Sequence, residues 1–107
     1  MNESYISKRL TQLKNEKGVS ARELSTAIKQ ANNYITNIEN QKALPSMRGL
    51  FLICEYFDIS PKEFFDEENT SPTLLNELIE ELKGVNPKTL RHLLGVAREI
   101  KKEHSND

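Results

Sequence analysis

At 107 residues, with 36% hydrophobic and 29% charged residues, the chain fits one soluble domain, or one small domain plus an appendage. No apolar run approaches the ~18 residues that cross a bilayer, and the first ten residues, MNESYISKRL, lack the apolar segment of a signal peptide. A single cysteine, Cys54, excludes an internal disulfide framework, so a cytoplasmic protein away from membranes is expected.

The net charge of −1 is unevenly spread. Residues 1–42 carry seven Lys/Arg against four Asp/Glu, whereas residues 50–81 carry nine acidic residues against Lys62 alone. That asymmetry suits one face that tolerates phosphates and an acidic region kept away from them, although ordinary solvated charge would look the same.

In chain order, residues 3–17 read as a helix with Ile6, Leu10 and Leu13 on one stripe, closed by Gly18. Ser20 and Glu23 have capping-box spacing and open a second helix, whose buried side is expected to be Leu24, Ala27 and Ile28. The chain must turn around Lys29, Gln30 and Ala31. A third helix then runs to about Asn40, with Ile35 and Ile38 inward and Asn32, Asn33 and Asn37 outward. Leu44-Pro45 breaks the pattern, and Ser46 caps a fourth helix to Phe57 with Leu50, Ile53, Cys54 and Phe57 on its apolar side. Ser60-Pro61-Lys62-Glu63 starts a short fifth helix bearing Phe64 and Phe65.

Residues 67–72 read as a linker. Beyond it, 73–107 reads as an αα-hairpin: one helix carries Leu74, Leu75, Leu78, Ile79 and Leu82, the other Leu90, Leu93, Leu94, Ala97 and Ile100. Two such helices cannot bury both stripes by themselves. Leu75, Leu78, Ile79 and Leu82, facing Leu90, Leu94 and Ala97, are therefore the candidate dimerisation element. No stretch alternates with period two, so the class is all-α.

Amides at the start of the third helix point to nucleic acid, because Asn and Gln offer a donor and an acceptor together to a base edge. The competing reading is that Asn32 and Asn33 are only turn and cap residues.

The run 9–66 resembles the Cro/C1-type (XRE) helix-turn-helix family. The resemblance is carried by Lys14, Gly18-Val19-Ser20, Glu23-Leu24-Ser25, Tyr34-Ile35, Ile38-Glu39-Asn40, Pro45-Ser46 and Phe57-Asp58-Ile59-Ser60-Pro61-Lys62-Glu63-Phe64-Phe65. It implies a five-helix lambda-repressor-like DNA-binding domain over 1–66. The second of its helices would be a scaffold, and the third, Ala31–Asn40, would enter the major groove of double-stranded DNA. Base-reading positions fall on Asn32, Asn33, Asn37 and Thr36, and phosphate or backbone contacts on Arg22, Gln30, Tyr34 and Lys42. Glu39 matches an acid that pairs with a basic residue of the first helix, here Lys14. The chain departs from the family at Lys29, where the turn usually has glycine, and at Ala31, which replaces the usual Ser/Thr cap. It departs also at Asn40-Gln41, in place of Asn-Gly, and at Ala21, in place of a phosphate-contacting Gln.

The implied function is a sequence-specific transcriptional regulator, a repressor, binding an inverted-repeat operator as a homodimer. The alternative is a protein-interaction module or antitoxin-like regulator whose partner is another protein. Cys54 reads as a core residue, and His92 and His104 have no neighbouring cysteine, so neither a metal nor a cofactor is expected. No nucleophile–base pair, paired-carboxylate site or phosphate-cradling glycine loop is present in the sequence, so the chain is not expected to be an enzyme.

Overall fold

A computed structural model describes residues 1–105; the last two positions of the expected hairpin, 106–107, lie outside them. The described residues form seven α-helices and no strand: α1 (Glu3–Lys17), α2 (Ala21–Ala27), α3 (Tyr34–Glu39), α4 (Met47–Tyr56), α5 (Pro61–Phe64), α6 (Pro72–Leu82) and α7 (Pro87–Ser105). They fall into two compact units, Met1–Asn76 and a second from Glu77 onward.

In the first unit the helix ends are set by local chemistry. Asn2 caps α1 by accepting from the Ser4 amide, and Gly18, at φ 74°, closes it in the left-handed region that glycine enters without a side-chain clash. Ser20 and Ser60 each open a helix with a complete capping box, answered by Glu23 and Glu63. The Glu63 carboxyl is held below its ordinary value, chiefly by the Ser60 backbone N–H and further by the Asn76 amide.

The core is assembled from one to three side chains of each of α1 to α5. Leu10 and Leu13 of α1, Leu24 of α2, Ile35 of α3, Ile53 of α4 and Phe64 of α5 are fully excluded from solvent. Each such side chain contributes about 1.5–3 kcal/mol of transfer free energy. A buried cation joins the two ends of the domain. Arg9, only 4% exposed, donates from Nε to the Phe64 carbonyl at 2.8 Å and from Nη2 to the Asp66 carbonyl. These are carbonyls at the C-terminal end of α5, where a helix favours positive charge. The Tyr5 hydroxyl donates to the same Phe64 carbonyl at 2.7 Å.

The first unit takes in segment 67–72 and the first turn of α6. Pro72 is fully buried, the Ser71 hydroxyl donates to Glu16 Oε1 at 2.9 Å, and the Asn76 amide donates to Glu63 Oε2 at 2.8 Å. In the second unit, α6 and α7 are joined by four residues, with Gly84 at φ 84°. All of α7 whose side chains are described is exposed.

One expectation for α2 is corrected. Ala27 is exposed, and the buried polar side chain is Ser25. The stripe that faces the core is Ala21, Leu24, Ser25 and Ile28, the i, i+3, i+4, i+7 spacing of a single helix face.

Candidate nucleic-acid interface

The two helices α2 and α3 are joined by a turn whose geometry is closed on both sides by backbone hydrogen bonds. Lys29 N–H donates to the Thr26 carbonyl at 3.0 Å and Gln30 N–H to the Ser25 carbonyl at 2.9 Å, which ends α2. Lys29 sits at φ 59°, a left-handed position held by a residue with a Cβ. Gln41 does the same at φ 58° after α3, where its N–H and that of Lys42 return to the Ile38 and Asn37 carbonyls. Both positions are those at which the chain lacks the family's glycine.

The helix α3 starts at Tyr34, so Asn32 and Asn33 lie in the turn that leads into it instead of within its first turn. Asn33 stands at the cap position but its side chain makes no capping hydrogen bond, and Ala31 has no oxygen to offer. The start of α3 is completed from the neighbouring helix. Ser25 Oγ, fully buried, accepts the Ile35 N–H at 3.0 Å while donating to the Ala21 carbonyl at 2.8 Å. One of the four N–H groups that a helix start leaves without a partner is thereby satisfied across the motif.

The far end of α3 is tied to α1. Lys14 Nζ lies 2.9 Å from Glu39 Oε1, the Thr11 hydroxyl donates to Glu39 Oε2, and the Ser7 hydroxyl donates to the Glu39 carbonyl at 2.6 Å. The two charged side chains are only 16% and 15% exposed, which sets this pair apart from a solvated surface ion pair. With Ile35 and Ile38 in the core, α3 is held from below at both ends.

What remains outward is polar. Asn32, Asn33 and Thr36 are exposed, Asn37 is half-buried, and Arg22, Gln30 and Lys42 are exposed around them. Tyr34 is half-buried, and its hydroxyl rests over the first turn of α4, where a Cβ added to Gly49 would lie 2.2 Å from it. Partial burial pushes the Tyr34 phenol above its ordinary value. The surface so described carries amides, hydroxyls and cations, the side chains that read base edges and phosphates.

The remaining candidates lie elsewhere. Cys54 is buried in the core and its thiol is pushed up to about 11, first by burial and then by the Glu63 carboxylate, so it carries no thiolate at neutral pH. Among the described residues no group of three or more His, Cys, Asp or Glu is placed to hold a metal ion. No helix among them is long and apolar enough to cross a membrane. Of the hairpin positions, Leu75, Leu78, Ile79, Leu90, Leu94 and Ala97 are exposed and Leu82 is half-buried.

Ser25 enters the sequence reading only as part of the family pattern, with no buried role expected of it, and Arg9, Ser7 and Thr11 have no role there. Ser25 has a readable signal, a hydroxyl on an otherwise apolar helix stripe. The other three depend on which backbone carbonyl or carboxylate the fold brings alongside.

A family model described as helix-turn-helix matches residues 10–64. No curated protein matches the chain. Among solved structures the chain is similar to one from a "SinR protein/SinI protein complex", with 28% identity and a TM-score of 0.57, over 91% of this chain and 98% of that one.

Proposed function

The chain belongs to the helix-turn-helix family of DNA-binding regulators, and from that premise we propose that it is a cytoplasmic, sequence-specific transcriptional repressor. Asn32, Asn33, Thr36 and Asn37 read base edges in the major groove, while Arg22, Gln30, Tyr34 and Lys42 contact the phosphate backbone. The observation that carries this reading is the pairing of a rigidly held helix with an unengaged amide surface. Ser25, Lys14 and Thr11 hold α3 from beneath, and the side chains of Asn32 and Asn33 are left exposed without an internal role.

A single such motif covers only a few base pairs, so useful affinity needs two linked copies. The stripes of α6 and α7, with Leu75, Leu78, Ile79, Leu82, Leu90, Leu94 and Ala97, are the dimerisation element in this reading. A two-fold dimer would bind an inverted repeat with half-sites about 10 bp apart, or a multiple of that. Binding measured at two salt concentrations on selected and random DNA tests the assignment. Cation contacts to phosphate predict a steep loss of affinity with salt on both DNAs, and amide readout predicts a preference for the selected site that survives it. Asn33→Ala should cost about 1–3 kcal/mol on the selected site if Asn33 reads adenine. Equal loss on both DNAs would remove Asn33 from the readers.

A second reading has one observation in its favour. The similar structure comes from a complex of two different proteins, and the hairpin here leaves its apolar residues exposed. In this alternative the same fold serves to bind another protein, and no DNA shift would be seen even at low salt.

A further inference from the structure

Gly49 of α4 and Gly95 of α7 both lie inside helices, where alanine serves the backbone better, and neither has a left-handed torsion that would call for glycine. Only Gly49 has a steric reason. A Cβ built there would lie well inside contact of the Tyr34 hydroxyl, 3.4 Å from Tyr34 Cζ and 3.3 Å from Ser46 Oγ, whereas one built on Gly95 would meet nothing within 4 Å. Gly49 is buried although its neighbours Ser46, Met47 and Arg48 are exposed, as a notch covered by a ring would be.

The covering side chain belongs to the reading surface. Tyr34 is the first residue of α3, and its N–H donates to the Ala31 carbonyl at 2.9 Å, so its backbone is fixed where the turn becomes helix. The next residue, Ile35, is held from α2 by Ser25. The start of α3 therefore has two supports, a hydrogen bond from α2 and the Tyr34 ring resting on α4. Among the described residues the Tyr34 hydroxyl makes no hydrogen bond, and it is not sealed from solvent. It is a donor placed by packing alone.

Resting on the reading of this surface as a DNA interface, we propose that Gly49 is a positioning residue for Tyr34. Its bare Cα seats the phenol ring on the first turn of α4, and that seat aims the free hydroxyl at a DNA phosphate. A side chain at Gly49 would push the hydroxyl away by roughly 1 Å to restore ordinary contact, and an O–H···O bond tolerates a range of only about 0.5 Å. The hydroxyl is neutral, so its contact adds affinity on any sequence without displacing a counterion.

Four forms of the full chain test this: wild type, Y34F, G49A and Y34F/G49A, each titrated on the site selected by wild type and on a random duplex at two salt concentrations. Y34F loses no internal bond and should fold as wild type does. It should weaken both complexes about three- to tenfold, the worth of one hydrogen bond, with an unchanged salt slope. G49A should weaken both by a similar factor, yet by less than about twofold in the Y34F background, where the hydroxyl it displaces is gone. A role of Gly49 in folding alone would cost the same in both backgrounds. In the free wild-type chain, a nuclear Overhauser contact between the Tyr34 ring and the Gly49 α-protons should be present. G49A binding like wild type, equal losses in the two backgrounds, Y34F binding like wild type, or a missing Overhauser contact would each overturn the positioning role. A wild-type chain that binds neither duplex, with the Overhauser contact present, would instead overturn the DNA reading on which it rests.

Discussion

Replacing Ser25 by alanine removes one oxygen atom from the interior of the helix-turn-helix and should cost more than any surface change in the motif. Ser25 and Ile35 are both fully buried, and Ser25 Oγ is the acceptor of the Ile35 N–H at 3.0 Å. Alanine strands that donor where water cannot reach it, and a buried unsatisfied donor costs about 1–3 kcal/mol. The bond from Ser25 Oγ to the Ala21 carbonyl adds little, because that carbonyl also lies within the helical ladder of α2. A loss of about 2 kcal/mol is expected, a large part of the ~5–15 kcal/mol that holds a domain together. Urea unfolding would show a lower midpoint with an unchanged slope, and the Ile35 amide would exchange at least tenfold faster in the native state. Thr26→Ala, one residue along and exposed, is the control and should stay within about 0.5 kcal/mol of wild type. If S25A falls in that same range, with Ile35 still protected, then α3 is not held from α2 by this bond.

Three further outcomes follow from the same geometry. Gln41→Gly should raise the melting temperature: relief of a left-handed residue at φ 58° is worth about 1–2 kcal/mol, offset by about 0.4–1 kcal/mol of added freedom in the unfolded chain. A lower melting temperature would mean that the Gln41 side chain has a role of its own. Arg9→Met should destabilise by about 1.5–3 kcal/mol, since the Phe64 and Asp66 carbonyls lose a charged donor; unchanged denaturant unfolding would contradict it. The Glu63 carboxyl is depressed below its ordinary value of 4.5, so its contribution to stability is complete above that value and fades as pH falls through the folded one. Melting curves of wild type and Glu63→Gln should therefore differ at pH 6 and converge toward pH 3, and a gap that persists in acid would refute the linkage.

Much of the first unit can be read from residue types because its helix ends are local. Gly18, the Ser20/Glu23 and Ser60/Glu63 boxes and the Pro61 start each act within four residues, and each is found at its expected place. The start of α3 is different. Ala31 removes the usual cap, the helix begins at Tyr34, and its missing acceptor comes from Ser25, ten residues earlier on another helix. Placing Ala27 on the buried side followed from choosing the wrong pair of positions around Leu24 and Ile28; the strict helical stripe admits Ser25 and leaves Ala27 out. Arg9 illustrates a further limit. A cation on α1 reads as a solvated charge until the fold brings two carbonyls at the end of α5 within reach of its guanidinium. Lys14 and Glu39 come from the family pattern, whereas Thr11 and Ser7, which complete the same attachment, depend on the side-by-side placement of α1 and α3.

The central claim is that Asn32, Asn33 and their neighbours form a reading surface presented twice by a dimer. Selection of bound sequences from a random duplex pool by the full chain tests it most directly. A dimeric reader should enrich an inverted repeat whose half-sites are centred about 10 bp apart, or a multiple of that, with base preference at the positions that Asn33→Ala relaxes. A pool that shows no enriched sequence, or an enriched site without two-fold symmetry, would contradict it.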